Sequence, residues 1–233
     1  MPSDTPTPAR SNRLRFSLLL FSLVTAVVVG PLFEDLAFGQ YLQLGFLTLV
    51  FGSSIYTNWN RHVMFWVVGT AAIIGLALHW TSLFYPGDGV SIAKYVGGFL
   101  FLGMTAFLLL KSIFVEYQAK PDALLGAACV YLLLGFMWAL GYSALMFIEN
   151  SPFYFPQVDL GGDGHPHLST FLYFSFVTMS TLGYGDIIPI SDISRTLAWM
   201  QSVTGQFYLA VLVAYLVNML PNSPGSAADP PKR

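Results

Sequence analysis

Charge is what this chain has least of. Charged side chains make up 9 % of its 233 residues, against about 25 % in a typical soluble domain. So few charges exclude a fold bathed in water on every side, and the hydrophobic share of 55 % says the same. Basic residues are too scattered for a nucleic-acid surface, and the net charge of −2 names no partner. Cysteine is nearly absent. Cys129 stands alone in an apolar run, which excludes an intrachain disulfide and reads as a small buried hydrophobe. Neither a nucleophilic triad nor a phosphate-binding loop is visible in the spacing of Ser, His, Asp and Gly, so an enzyme reading has no residues to stand on.

What the chain does have is long hydrophobic runs. One bilayer crossing needs roughly 20 apolar residues, and six spans meet that need approximately: Leu14–Phe33, Tyr41–Thr57, Val63–Tyr85, Tyr95–Val115, Ala123–Ile148 and Ile193–Leu220. Polar and turn residues mark the breaks, as in Pro86-Gly87-Asp88-Gly89 and Lys120-Pro121-Asp122. The fold expected is an all-α membrane protein with six transmembrane helices. A further apolar stretch, Leu168–Ser180, is too short to cross. The first span follows Arg13 and Arg15 as a signal peptide would, but lacks small residues at a cleavage spacing before Glu34, so it reads as a retained helix.

Orientation follows from the basic residues. If all six spans cross, Arg10, Arg13, Arg15, Arg61, Lys120, Lys232 and Arg233 fall on one side, which is then the cytoplasm. Glu34, Asp35, Asp88, Glu149, Asp159, Asp163 and Asp186 fall on the other. Both termini are therefore expected in the cytoplasm, with residues 1–13 and 221–233 as disordered tails rich in Pro, Ser, Thr and Ala.

The segment directly after the short apolar stretch reads Thr181-Leu182-Gly183-Tyr184-Gly185-Asp186. Two glycines two residues apart permit backbone conformations that other residues resist. Such a run can aim successive carbonyl oxygens at one axis and replace the water around a cation. A T-[VIL]-G-[YF]-G-D pattern arises by chance in roughly one chain of this length in ten thousand.

This hexapeptide resembles the selectivity filter of the potassium-channel family, and the likeness extends over residues 123–220 as outer helix, re-entrant pore helix, filter and inner helix. The resemblance implies K⁺ coordination by the backbone carbonyls of Thr181, Leu182, Gly183 and Tyr184, with the Thr181 hydroxyl at the inner mouth. Gly183 and Gly185 would supply the unusual backbone angles, and Asp186, Thr178 and Ser180 would support the filter. Tyr173, Phe174 and Phe176 stand where an aromatic cuff is expected, although many members carry tryptophans at the first two positions. Some members pair the filter aspartate with a pore-helix glutamate; Val177 occupies that region here, so Asp186 must find another partner. Gly205 falls near the family's inner-helix hinge, with a close helix contact as the equal alternative. Gln206 and Asn218 are candidates for a water-filled cavity.

One filter supplies a quarter of a coordination ring, so the partners expected are three identical subunits and membrane lipid, with no nucleic acid and no small-molecule substrate. No cofactor is expected beyond permeant K⁺. The domains expected are a four-helix unit over residues 14–117, similar to a voltage sensor without its gating charges, and a pore unit over residues 122–220. A voltage sensor needs about three to four gating charges in its fourth helix. The fourth span offers only Lys94 at one edge and Lys111 toward the other, and no arginine. The function expected is passive K⁺ conduction without strong voltage gating, in the plasma membrane of a bacterium, as the compactness of the chain suggests. Two alternatives stay open: a weakly selective cation channel, and a non-conducting sensor or transporter subunit built on the same pore fold. His165 and His167, beside Asp159 and Asp163, read either as a metal or pH site or as an exposed loop without a role.

Overall fold

The computed structural model describes residues 9–32, 45, 48–50, 52–53, 62–85, 87–116, 121–155 and 166–218. They form helices α1 (Ala9–Leu32), α2 (His62–Phe84), α3 (Asp88–Glu116), α4 (Pro121–Ile148), α5 (Leu168–Met179) and α6 (Asp192–Asn218). A two-residue strand pair, β1 (Phe153–Tyr154) and β2 (Ile188–Pro189), runs antiparallel with Phe153 opposite Pro189. Five of the expected spans are thus helices. The second, Tyr41–Thr57, falls largely outside the described residues; within it Val50 is buried and the Ser53 hydroxyl lies 3.0 Å from that of Ser22 on α1.

The helix ends follow local chemistry. α3 starts at Asp88, ahead of the expected Tyr95, because an acidic first turn complements the helix dipole and Ser91 N–H reaches Gly87 O at 3.0 Å. α4 starts on Pro121, whose missing N–H is no loss in a first turn. α1 starts at Ala9, inside the tail expected to be disordered, and takes Arg10, Arg13 and Arg15 into its first turns. At α6 the Ser191 hydroxyl accepts the Ser194 N–H at 3.1 Å, a standard N-cap, and donates to Glu149 Oε2 at 2.8 Å. The Ser194 hydroxyl donates to Pro152 O at 2.8 Å. These bonds tie the start of α6 to the segment just beyond α4.

α4 is the central element. α3 lies along it, and α1, α5 and α6 pack on it; α2 packs on α3. The core runs through Leu19 and Leu23 of α1, Phe101 and Ile113 of α3, Leu133 and Tyr142 of α4, and Phe171 of α5. On α2 the buried stripe is Val68, Ala72 and Gly75, at helical spacing, and half-buried His79 continues it. Trp80 lies one position off that stripe and is half exposed. Toward its C-terminal end α6 is fastened by two phenols. Tyr208 donates to Ala127 O on α4 at 2.6 Å, and Tyr215 to Ile113 O on α3 at 3.2 Å. Ile113 belongs to the last turn of α3, where carbonyls lack a helical partner.

Among the described residues α3, α4 and α6 carry stretches long and apolar enough to cross a membrane; those of α1 and α2, Phe16–Val29 and Val68–Ser82, are shorter. In the single chain α6 presents Trp199, Phe207, Val211 and Val213 to its surroundings. Replacing Ser191 by Ala should remove about 1 kcal/mol by loss of the N-cap. A lower midpoint in thermal unfolding of the detergent-solubilised protein checks this; an unchanged midpoint contradicts it.

Candidate functional site

α5 has 12 residues, about 18 Å of helix against a hydrocarbon layer of about 30 Å. It is thus too short to cross, and the chain leaves it while still bonded to its last turn. Thr181 N–H reaches Thr178 O at 3.1 Å, Leu182 N–H reaches Val177 O at 3.0 Å, and Gly183 N–H reaches the same oxygen at 3.4 Å. The Ser180 hydroxyl also donates to Val177 O, at 3.2 Å. Thr178 thus bonds the segment through its carbonyl, while the Ser180 hydroxyl stays on Val177 of α5. The C-terminal end of a helix carries negative partial charge, so this is where a cation is favoured.

Beyond that turn the backbone alternates in hand. Thr181, Gly183 and Gly185 have φ of 60°, 55° and 79°, while Leu182 and Tyr184 between them do not have positive φ. Alternation of right- and left-handed residues turns successive amides to one side of the chain and successive carbonyls to the other. A row of carbonyls on one side is what a cation site needs. A Cβ on Gly183 or Gly185 would meet nothing within 4 Å, so the backbone angle and not lack of space requires glycine there. Thr181 is β-branched and takes the left-handed conformation against its preference, with its hydroxyl on Ser180 O at 2.6 Å. Strain of that kind, of order 1–3 kcal/mol, persists at functional sites. All six residues from Thr181 to Asp186 are exposed in the single chain, Leu182 at 54 % and Tyr184 at 67 %.

Asp186 has the partner that the missing glutamate left open. The Tyr173 hydroxyl on α5 donates to its Oδ2 at 2.6 Å, and the Ile187 N–H donates to its Oδ1 at 3.1 Å. The bond to Asp186 pushes the Tyr173 phenol up to about 12. A raised folded value means the proton stays: the interaction is complete below the ordinary value near 10 and is lost as pH rises through about 12. The other aromatics of the expected cuff turn away from the filter. Phe174 packs on Tyr142 and Phe153 with ring centroids 5.1 and 5.5 Å apart. Phe176 fills the space above Gly135, where any Cβ would collide with its ring.

Gly205 lies within unbroken α6 and touches the end of α5. A Cβ there would sit 2.7 Å from Met179 O and against the Met179 side chain, so the contact reading has direct support. Gln206 is exposed, and the side chain of Asn218 lies outside the described residues. His167 is exposed, while His165, Asp159 and Asp163 lie outside the described residues.

Gln201, one residue from Met200 on α6, was not singled out in the sequence, yet it is fully buried. Tyr142 on α4 donates to its Oε1 at 2.5 Å. Its Nε2 donates to Ser175 Oγ at 2.6 Å and to Ser175 O at 3.0 Å, and Ser175 Oγ donates to Gly135 O at 2.7 Å. One side chain thereby joins α4, α5 and α6. The only signal in the sequence was an amide interrupting an apolar span.

Residues 123–222 match the family model described as "Ion channel", a stretch holding α4, α5, the filter segment and α6. The unit built around Thr181–Asp186 is therefore similar to an ion-channel domain. A relative, the voltage-gated potassium channel Kch of Escherichia coli (strain K12), is 29 % identical over 166 residues, covering 71 % of this chain and 32 % of its own length. The chain thus spans about a third of that relative. The chain is thus similar to ion channels over residues 123–222 and to one potassium channel over 166 residues. No solved structure matches it.

Replacing Tyr173 by Phe keeps the ring and removes the bond to Asp186. Currents through the reconstituted protein should then decay roughly three- to fivefold faster under sustained conduction, the modest factor reflecting a bond that is 41 % exposed on the tyrosine side. Unaltered decay would remove the brace from the account.

Proposed function

We propose that four copies of this chain enclose one potassium-selective pore that conducts K⁺ passively down its electrochemical gradient. The observation that carries this reading is the alternation of φ at Thr181, Gly183 and Gly185 on a backbone tied to the end of α5. The carbonyls of Thr181, Leu182, Gly183 and Tyr184 replace the hydration shell of K⁺, and several ions in file keep each site weak enough to release its occupant. One exposed strand cannot enclose a dehydrated ion, so a homotetramer closes the ring. The exposed apolar face of α6 supports burial in that assembly, with Gln206 toward the aqueous cavity.

Six crossings put both termini in the cytoplasm and the filter at the outer face of a bacterial plasma membrane, with α5 re-entrant. Residues 14–117 form the four-helix unit and 122–220 the pore unit. The packing of α3 and α1 on α4 within one chain supports a tetramer in which each four-helix unit stays beside its own pore subunit. The apolar cleft of ≈ 440 Å³ between α3, α4 and α6, with Phe114, Leu134 and Phe207 among its walls, suits membrane lipid as the surrounding partner.

Voltage gating does not follow from the likeness to the Escherichia coli channel. α3 carries Lys94 near its start, 4.3 Å above the Tyr95 ring, and exposed Lys111 near its end, with no basic residue between them. A charge crossing the full field is worth about 2.3 kcal/mol per 100 mV, and these two sit where the field is weak. Open probability should change by less than about tenfold per 100 mV; a full switch over that range contradicts the reading.

The test of conduction is the reversal potential of purified, reconstituted protein under opposed K⁺ and Na⁺ gradients. A value near the K⁺ equilibrium potential is expected, and Gly183→Ala should abolish the current. An intermediate value indicates a weakly selective cation channel, and no current from folded tetramer indicates a non-conducting subunit.

A further inference from the structure

We propose that Gln201 is a positioning residue for ion selectivity: it clamps α5 between α4 and α6 and so sets the height at which Thr181–Gly185 is held. This inference rests on the channel reading above. The remaining contacts of α5 with its neighbours are mainly aromatic and aliphatic, such as Phe171 and Phe174 against Tyr142 and Phe153. Apolar packing is non-directional and resists separation better than sliding. Hydrogen bonds fix both distance and angle. The bonds through Gln201 therefore supply what the packing lacks, a fixed axial register for α5.

The bonded residue on α5 is the telling one. Ser175 stands two positions before Val177, whose carbonyl receives the amides of Leu182 and Gly183. Between Gln201 and those two filter residues there is helix and hydrogen bond, with no loop to absorb movement. A slip of α5 by one residue would displace the filter by about 1.5 Å, which is large for a coordination shell. Burial makes the choice of glutamine informative. An amide taken out of water is unfavourable unless its donors and acceptor are all paired, and here Oε1 and both protons of Nε2 are paired. Methionine has the same length and would pack as well; what only the amide adds is geometry.

The experiment compares the full-length channel with Gln201→Met, Ser175→Ala and Tyr142→Phe, each reconstituted and held between K⁺ and Na⁺. The readout is the permeability ratio from the reversal potential. This ratio does not depend on how many channels survive purification, so a purely structural role leaves it unmoved. Gln201→Met and Ser175→Ala should each lower the K⁺/Na⁺ ratio roughly three- to tenfold, the scale of one net hydrogen bond, and the double variant should be no worse than either. Tyr142→Phe keeps both bonds to Ser175 but leaves the buried Gln201 Oε1 unpaired and loosened from α4, so it should lower the ratio in the same direction, by roughly two- to threefold. If Gln201→Met yields no assembled protein, Ser175→Ala decides. Wild-type ratios in the variants, with only their thermal stability lowered, overturn the clamp. A wild-type channel without K⁺ preference overturns instead the channel reading, before any variant is compared.

Discussion

The Val177 carbonyl holds the site together. It stands in the last turn of a helix too short to cross a membrane, where no further helical amide reaches it, and it accepts the amides of Leu182 and Gly183 instead. That single oxygen converts a helix end into an anchor for the segment that follows. Thr181, Gly183 and Gly185 follow it with left-handed backbone angles, a pattern that suits a row of carbonyls on one side. Without the anchor, a five-residue run with three unusual backbone angles would be an ordinary glycine-rich loop, free to relax the strain at Thr181.

Among the described residues α4 and α6 make most of the contacts that hold α5 in place. α4 supplies a broad wall, with Gly135 making room for Phe176, and Tyr142 at the centre of an aromatic cluster with Phe153, Phe171 and Phe174. α6 closes the other side by the approach of Gly205 to Met179 and by the Gln201 amide. At the far end of the filter, Tyr173 and Asp186 pin the segment back to α5. Backbone angle, apolar packing and directed hydrogen bonds therefore act at three successive heights on one short helix.

Much of this was readable before any coordinates. Helix positions followed from apolar run length, whereas the start of α3 at Asp88 and the cap of α6 by Ser191 came only with the structure. The left-handed backbone at Gly183 and Gly185 could be read because backbone demands are written locally as glycines. Side-chain partners across helices were not readable. Tyr173 and Asp186 are 13 residues apart, and Gln201 and Ser175 are 26; such pairings depend on how helices are rotated against one another. The contacts of the three cuff aromatics within the chain were not readable for the same reason. Phe174 and Phe176 pack toward Tyr142 and Gly135 of α4, while Tyr173 bonds to Asp186.

The central claim is that Thr181–Tyr184 of several chains together replace the water shell of K⁺. Ion density on the axis of the assembled protein, determined once in K⁺ and once in Na⁺, tests it most directly. The account predicts four chains around one axis, with a file of density beside the carbonyls of Thr181, Leu182, Gly183 and Tyr184 in K⁺ that is lost or rearranged in Na⁺. An assembly without a fourfold axis, or the same density in both salts, would contradict it.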